Sequence, residues 1–187
     1  MRHFVLALLS ICCVVAQTPQ AKTTHVHSTP IWNQEPDGFK GLSFYSSEEN
    51  AGARIGSCTK IDSDITACDI TDSDIGSVGT HAVFAFQNDR FVSADGNFDS
   101  SNFEILRDIF IKRYGRPHED QMQTVRNNAG GEFKNEHLSW VGKNVIVVLS
   151  KYGSTVIQGH FAVSLKSYLA EQVRRDEAAK KKAATAM

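Results

Sequence analysis

Two cysteines in the middle of the chain, Cys58 and Cys68, lie ten positions apart and could form a covalent link. In an exported protein such a pair typically forms a disulfide, and closing so short a loop should stabilise the fold by roughly 2–3 kcal/mol. Two free buried thiols, or half of a metal site, are the alternatives. The metal alternative needs further ligands, and no histidine occurs between Trp32 and Thr80. We therefore expect a disulfide.

Other potential metal ligands are poorly arranged. His25 and His27 could form a weak site in an extended segment, but a third ligand is not nearby. Segments 61–66 and 70–75 both carry paired aspartates between isoleucines. A calcium loop of the EF-hand type needs a mid-loop glycine and a closing glutamate, and both are missing, whereas aspartates are common in turns. The sequence predicts no metal and no cofactor.

The sequence lacks the common catalytic motifs. The chain has no Gly-x-Ser-x-Gly, no phosphate-binding glycine loop, no His-Glu-x-x-His and no Cys-x-x-Cys. Glu136 and His137 are neighbours on a predicted strand, so they point to opposite faces. We expect His160 to be exposed to solvent. The sequence predicts no catalytic residue and a protein that is not an enzyme.

The N-terminus has the three-part pattern of an export signal. A short basic start precedes the apolar run 4–15, which is too short to span a bilayer, and small residues follow. We predict a signal peptide over residues 1–16 and a periplasmic or secreted protein. A buried N-terminal helix is one alternative. A lipoprotein signal at Cys12 or Cys13 is another, but Ile11 stands where a small residue is expected.

Composition excludes several classes of protein. The chain has 187 residues, of which 41% are hydrophobic and 22% charged, with a formal net charge of −1. These values are typical of a globular protein and exclude a disordered chain, a collagen and a multispanning membrane protein. A near-neutral charge gives no reason to expect a nucleic acid partner. Acidic residues precede the lysine run 180–182, so we expect no stable membrane anchor.

The pattern of residues divides the chain into four parts. After the signal, residues 17–36 hold three of the four prolines and are predicted to form an extended tail or linker. Residues 37–170 are predicted to form a single α+β domain. Residues 171–187 are charged and rich in alanine, which indicates a C-terminal helical tail. We expect the chain beyond about Arg174 to be dispensable for folding, because it lacks an apolar face.

The strongest element is a helix that begins after Asp99 or Ser101 and ends at Gly115, since its apolar residues recur every three or four positions. A hairpin precedes it, and alternating segments between residues 132 and 165 predict a meander of strands. We predict an α+β fold with an antiparallel sheet and helices packed on one face, arranged as two successive helix-plus-three-strand units.

Three segments carry a resemblance to a protein family: 38–42 before a short helix, 84–91, and 110–117 followed by Trp140 and an apolar strand. Together they resemble a group of small exported bacterial proteins. The helix-then-meander pattern is similar to the outer-membrane assembly lipoproteins of the SmpA/OmlA type and to the β-lactamase inhibitory protein. The resemblance spans about residues 38–165 and implies an architecture more than an activity.

The segment 145–149 is apolar at every position, so a strand there has two apolar faces. If Val147 faces the core, Ile146 and Val148 need another cover. The N-terminal tail, the start of the C-terminal helix or a different protein could supply it, and our hypothesis is a partner protein. We therefore expect a non-catalytic exported interaction module of the bacterial cell envelope that binds another envelope or secreted protein through its sheet.

Two alternatives to this function remain. One is a carrier of a small apolar ligand, which requires an enclosed pocket lined by phenylalanines. The other is an enzyme whose site residues converge only in three dimensions.

Overall fold

The computed structural model describes residues 32–126 and 130–185. The predicted signal peptide, His25 and His27 lie outside the described residues, as does most of the predicted linker.

Within these residues the chain forms ten strands and three α-helices, with short 3₁₀ turns at Gly52–Arg54 and Ser100–Asn102. The elements are β1 (Gly38–Phe39), β2 (Leu42–Ser43), α1 (Glu48–Ala51), β3 (Ile55–Lys60), β4 (Ile65–Ile70), β5 (Thr80–Gln87), β6 (Phe91–Asp99), α2 (Phe103–Tyr114), β7 (Glu119–Arg126), β8 (Glu132–Val141), β9 (Val145–Thr155), β10 (Gln158–Leu165) and α3 (Lys166–Thr185).

Strands β3 to β10 form one antiparallel sheet in the order β3-β4-β5-β6-β10-β9-β8-β7, and β1 pairs with β2 in a separate small hairpin. The α+β class and the antiparallel sheet are confirmed. The sheet consists of two meanders that meet where β6 pairs with β10, and a helix precedes each. Each meander has four strands rather than the predicted three. The additional strands, β3 and β7, are edge strands with mostly exposed side chains, so they lack apolar alternation.

The main core lies between α2 and one face of the sheet, called here the inner face. Four side chains of α2 are buried at helical spacing: Phe103, Leu106, Phe110 and Tyr114. Phe110 contacts Trp140 of β8 and Phe161 of β10, with ring centroids 6.0 and 6.1 Å apart. The helix ends at Gly115, whose φ of +79° is a left-handed conformation that glycine adopts at little cost. This helix matches its prediction closely.

Helix α3 lies on the opposite face of the sheet, called here the outer face, which differs from the expected placement of all helices on one face. The buried hydroxyls of Ser93 and Ser164 meet there at 2.6 Å. Burial, and next the nearby Asp95 carboxylate, raise the pKa of Tyr168 in the first turns of α3. Both serines and Asp95 alternate with core residues, so α3 crosses the outer side of β10 and β6. A helix following directly after Leu165 can pack on either face.

The end of the predicted linker belongs to the domain, which corrects the boundary at residue 37. Trp32 is buried, and its Nε1–H donates to the Tyr114 carbonyl at 2.8 Å. The Glu35 carboxylate accepts three backbone N–H groups from the β8–β9 turn, at 2.6, 2.7 and 3.1 Å. Partial burial opposes ionisation of Glu35, but these donors together lower its pKa. Such contacts join residues more than 80 positions apart and leave no local pattern.

Residues 171–185, predicted as part of a charged C-terminal helical tail, continue α3 without a break. The Arg175 guanidinium donates to the carboxylates of Asp62 and Asp64 in the β3–β4 turn and to Glu171 one helical turn earlier. These contacts attach the middle of α3 to the body of the protein. After Arg175 the described side chains are exposed, as expected for the charged segment.

Candidate functional site

Cys58 and Cys68 are joined by a disulfide between directly paired positions of β3 and β4. Cys68 of β4 is buried, whereas Cys58 of the edge strand β3 is exposed. The Glu48 carboxylate lies within 4.8 Å of both sulfur atoms. Zinc binds thiolates, and sulfurs joined to each other are not thiolates, so this cluster is a structural link rather than a metal site. A disulfide is compatible with an exported protein.

Strand β9 is apolar on both faces, as its sequence predicts. Val145, Val147 and Leu149 are buried in the core, whereas Ile146 and Val148 are half-buried on the outer face. The N-terminal segment contacts the β8–β9 turn, and α3 leads from β10 toward the β3–β4 turn. Within the described part of the chain, both elements leave Ile146 and Val148 partly exposed.

Ile146 and Val148 lie between side chains of β8 and β10 on the outer face. Ile146 is flanked by Val141 of β8 and Ser164 of β10, and Val148 is flanked by Ser139 and Ala162 on the same strands. We call these six residues the apolar centre. Ser139 and Ser164 are buried, so the accessible part of the apolar centre consists of the partly exposed Val141, Ile146, Val148 and Ala162.

Two polar pairs border the apolar centre on the next row of the sheet. Ser150 of β9 is paired with His137 on one side and His160 on the other. The Ser150 hydroxyl and His137 Nδ1 are hydrogen-bonded at 2.7 Å. His160 Nε2 contacts the Asp95 carboxylate at 3.0 Å. Each polar group on this border therefore has a partner within the protein.

The Ser150–His137 pair combines a nucleophile type with a base type, but its setting does not favour hydrolysis. In a Ser-His-Asp arrangement the acid orients the histidine that contacts the serine, whereas Asp95 contacts the other histidine, His160. Ser150 also belongs to ladders with β8 and β10, so nearby N–H groups point at neighbouring strands rather than at a substrate oxyanion. The arrangement suits a binding surface better than acyl transfer.

Glu136 and His137 lie on opposite faces of the sheet, as their neighbouring positions on one strand predict. Glu136 accepts a hydrogen bond from Arg107 of α2 on the inner side at 2.7 Å, and His137 contacts Ser150 on the outer side. The pairing of His137 with Ser150 was missed. It depends on the register of β8 against β9, which the turn between them sets, and composition gives no indication of it.

Comparisons with protein-family models, curated proteins and solved structures returned no match. Among the helices within the described ranges, none is long and apolar enough to cross a membrane.

Proposed function

We propose that this protein is a non-catalytic interaction module of the bacterial cell envelope, periplasmic or secreted, that binds another exported protein through the apolar centre. The observation that carries the proposal is the partial exposure of Ile146 and Val148 in the middle of a long sheet. Partly exposed apolar side chains that adjoin one another are typical of interaction sites.

The position of these residues determines how a partner would bind. Strand β9 is paired on both sides, so its backbone is not open to an added strand. Recognition therefore depends on side chains and on shape. A stable protein interface buries about 1,200–2,000 Å² in total, so the contact must extend past the apolar centre to its polar border.

The polar border supports this mode of binding. His137 with Ser150, and His160 with Asp95, each form one hydrogen bond within the protein. Covering such pairs costs less free energy than covering polar groups that depend on water for their hydrogen bonds. We therefore expect a partner with an apolar surface and few charged groups at its centre.

Export is the second part of the proposal. It is supported by the residues 1–16, which have the pattern of a signal peptide, and by a disulfide, the form that cysteines take in oxidising compartments. Intact mass of protein recovered from the periplasm or medium, alkylated with and without reductant, tests it. Export requires a chain lacking residues 1–16 and thiols that react only after reduction. Full-length, freely alkylated protein in the cytoplasm would contradict it.

Binding is tested by replacing Ile146 and Val148 together with threonine, which keeps strand propensity and removes apolar surface. Tagged wild-type and variant proteins are cross-linked in their native envelope and compared by quantitative mass spectrometry. In the matched control, Ile61 and Ile157 are both replaced with threonine. Their side chains are 65% and 71% exposed and lie in turns away from the apolar centre.

We expect the Ile146→Thr/Val148→Thr variant to melt near the wild-type temperature and to lose a partner that the control retains. Two results would contradict the proposal. In the first, both variants recover the same proteins in equal amounts. In the second, the double variant loses several kcal/mol of stability, the scale of truncating fully buried side chains, which would make this face part of the core.

A further inference from the structure

A cavity of about 240 Å³ lies on the inner side of the molecule, away from the apolar centre. It is enclosed by the β1–β2 hairpin, the loop between β4 and β5, and the second half of α2. Its apolar walls are Phe39 from the hairpin, Ile75 from the loop, and Ile109 and Phe110 from the helix. This volume suits a ligand of roughly the size of an aromatic amino acid.

Tyr114 lines the same cavity and has an unusual hydroxyl group. The side chain is only 2% exposed, and its ring packs against Trp32 and Trp140. The hydroxyl is buried and has no hydrogen bond of good geometry; burial raises its pKa, and the nearby Arg113 guanidinium opposes that rise. Buried polar groups in proteins are nearly always satisfied, so an unpartnered hydroxyl beside a cavity indicates a ligand that would accept its hydrogen bond.

Two cations line the cavity next to Tyr114. The Arg113 guanidinium lies 5.6 Å from the Tyr114 ring centroid, and among the described residues no carboxylate forms a salt bridge with it. Lys40 occupies a backbone conformation with φ of +51° in the turn between β1 and β2, where asparagine, aspartate or glycine is the usual choice. Its Nζ donates to the Asp74 carbonyl at 2.7 Å.

A lysine in that conformation costs backbone energy, and such residues cluster at functional sites. One acidic side chain, Asp74, also lines the cavity, and its Oδ1 accepts the Thr80 N–H at 3.2 Å. Lys40 Nζ also lies 3.8 Å from the Asp72 carboxylate, so Arg113 is the lining cation that has no carboxylate partner among the described residues. The cavity combines apolar walls, one hydroxyl donor without an acceptor and one guanidinium without a carboxylate partner among the described residues.

We propose that this cavity binds a small organic carboxylate with an aromatic or branched aliphatic body. The apolar body contacts Phe39 and Ile109, and the carboxylate accepts hydrogen bonds from Arg113 and from the Tyr114 hydroxyl. Guanidinium groups bind carboxylates through parallel hydrogen bonds, and charge-assisted bonds of this kind are the strong ones. The site is independent of the apolar centre, so either proposal can fail without the other.

Isothermal titration calorimetry with phenylacetate as the probe tests the proposal, and phenylacetamide serves as its uncharged counterpart. For a ligand of this size we expect a Kd at or below about 1 mM for phenylacetate. Loss of the charge should weaken binding at least about tenfold for phenylacetamide. The Arg113→Gln and Tyr114→Phe variants should each bind phenylacetate about tenfold more weakly.

The matched control is Lys112→Gln, which removes the adjacent cation of the same helix, a residue that does not line the cavity. Its Kd should stay within about twofold of the wild-type value, since exposed charges are screened by salt. Tyr114→Phe keeps the packed ring, so it should fold, and melting curves verify this for each variant. Undetectable phenylacetate binding, equal affinity for phenylacetamide, or equal effects of Arg113→Gln and Lys112→Gln would each overturn the proposal.

Discussion

Arg175 and Asp64, 111 positions apart in the sequence, form a bidentate ion pair. Arg175 Nη1 donates to Asp64 Oδ1 at 2.7 Å, and Arg175 Nη2 donates to Asp64 Oδ2 at 2.6 Å. Gln87 of β5 also donates to Asp64, at 3.1 Å. The pair therefore connects α3 to the turn of the β3–β4 hairpin that carries the disulfide. It gives the charged part of α3 a defined role in the fold up to Arg175.

The first prediction concerns where the C-terminal helix becomes dispensable. Deleting residues 176–187 should leave the melting temperature unchanged, because these side chains make few contacts with the body. Deleting residues 175–187, one residue more, should lower it, because Asp62 and Asp64 lose their shared partner. Differential scanning calorimetry of the two truncated proteins makes the comparison.

Arg174→Gln and Arg175→Gln provide the point-mutation control for this prediction. Arg174 bonds only Glu171, within the helix, so its loss should have little effect. Equal melting temperatures for both point variants and both truncated proteins would show that the ion pair does not stabilise the fold.

The second prediction is a dependence of stability on acid. The hydrogen bonds from Arg175, and next from Gln87, hold the pKa of Asp64 well below its usual range. A carboxyl with a lowered folded-state pKa contributes stability that is present above its unfolded pKa of about 3.9 and is lost as the pH falls toward the folded value. Wild-type protein should therefore lose unfolding free energy progressively below about pH 5.

Urea unfolding at pH 7, 5, 4 and 3 measures this loss. Arg175→Gln should lose less stability than the wild type between pH 5 and pH 3, because Asp64 then has a more ordinary pKa. Glu35 has a lowered pKa as well and keeps its backbone donors in this variant, so part of the acid dependence should remain. Parallel curves for wild type and Arg175→Gln would contradict the assignment to Asp64.

The third prediction concerns the segment before β1. Trp32 is 9% exposed, contacts the Tyr114 ring at 6.1 Å between centroids, and donates to the Tyr114 carbonyl. Trp32→Ala should destabilise the protein by about 3–5 kcal/mol, the scale of removing a large buried aromatic side chain. Chemical denaturation measures the change, and Asn33→Ala, at an exposed neighbouring position, is the control. A loss of unfolding free energy below about 1 kcal/mol for Trp32→Ala would mean that this segment is a linker and not part of the folded domain.

The features best predicted from the sequence are those that follow a periodic pattern of apolar residues within one element. Helix α2 has apolar residues at three- and four-residue steps between a clear start and Gly115, and the outward position of Ile146 and Val148 follows from alternation along one strand. Contacts between distant residues were missed. Glu35 reaches Asn144 across 109 positions, and the pairing of His137 with Ser150 requires the register of two strands.

Edge strands were missed for another reason. Strand β7 has almost entirely exposed side chains, so neither of its faces carries the alternation that identifies a strand in a sequence. The cavity beside Tyr114 was beyond prediction as well, because three separate elements enclose it. Only the turn that holds Lys40 had a local indication, in the Lys40-Gly41 pair between two apolar residues.

The last prediction addresses the junction of the two meanders, where β6 pairs with β10. Each of these strands has a glycine opposite a phenylalanine of the other. Gly96 lies opposite Phe161, and Gly159 lies opposite Phe98. A methyl group on Gly96 would come within 2.5 Å of the Phe161 ring, and one on Gly159 would come within 2.2 Å of the Phe98 ring. Each phenyl ring therefore lies over the glycine of the other strand, which compensates for the missing side chain.

Gly96→Ala and Gly159→Ala should each destabilise the protein by about 1–3 kcal/mol, because the displaced ring must leave its packed position. Gly56→Ala is the control: a methyl group at this strand glycine would meet Thr71 at 3.7 Å, an ordinary contact. The effects of Gly96→Ala and Gly159→Ala should not add, since both loosen the same strand pair. Urea unfolding of the single and double variants measures this. Full additivity, or a Gly56→Ala loss as large as the others, would mean that the two phenylalanines do not join the halves of the sheet in this way.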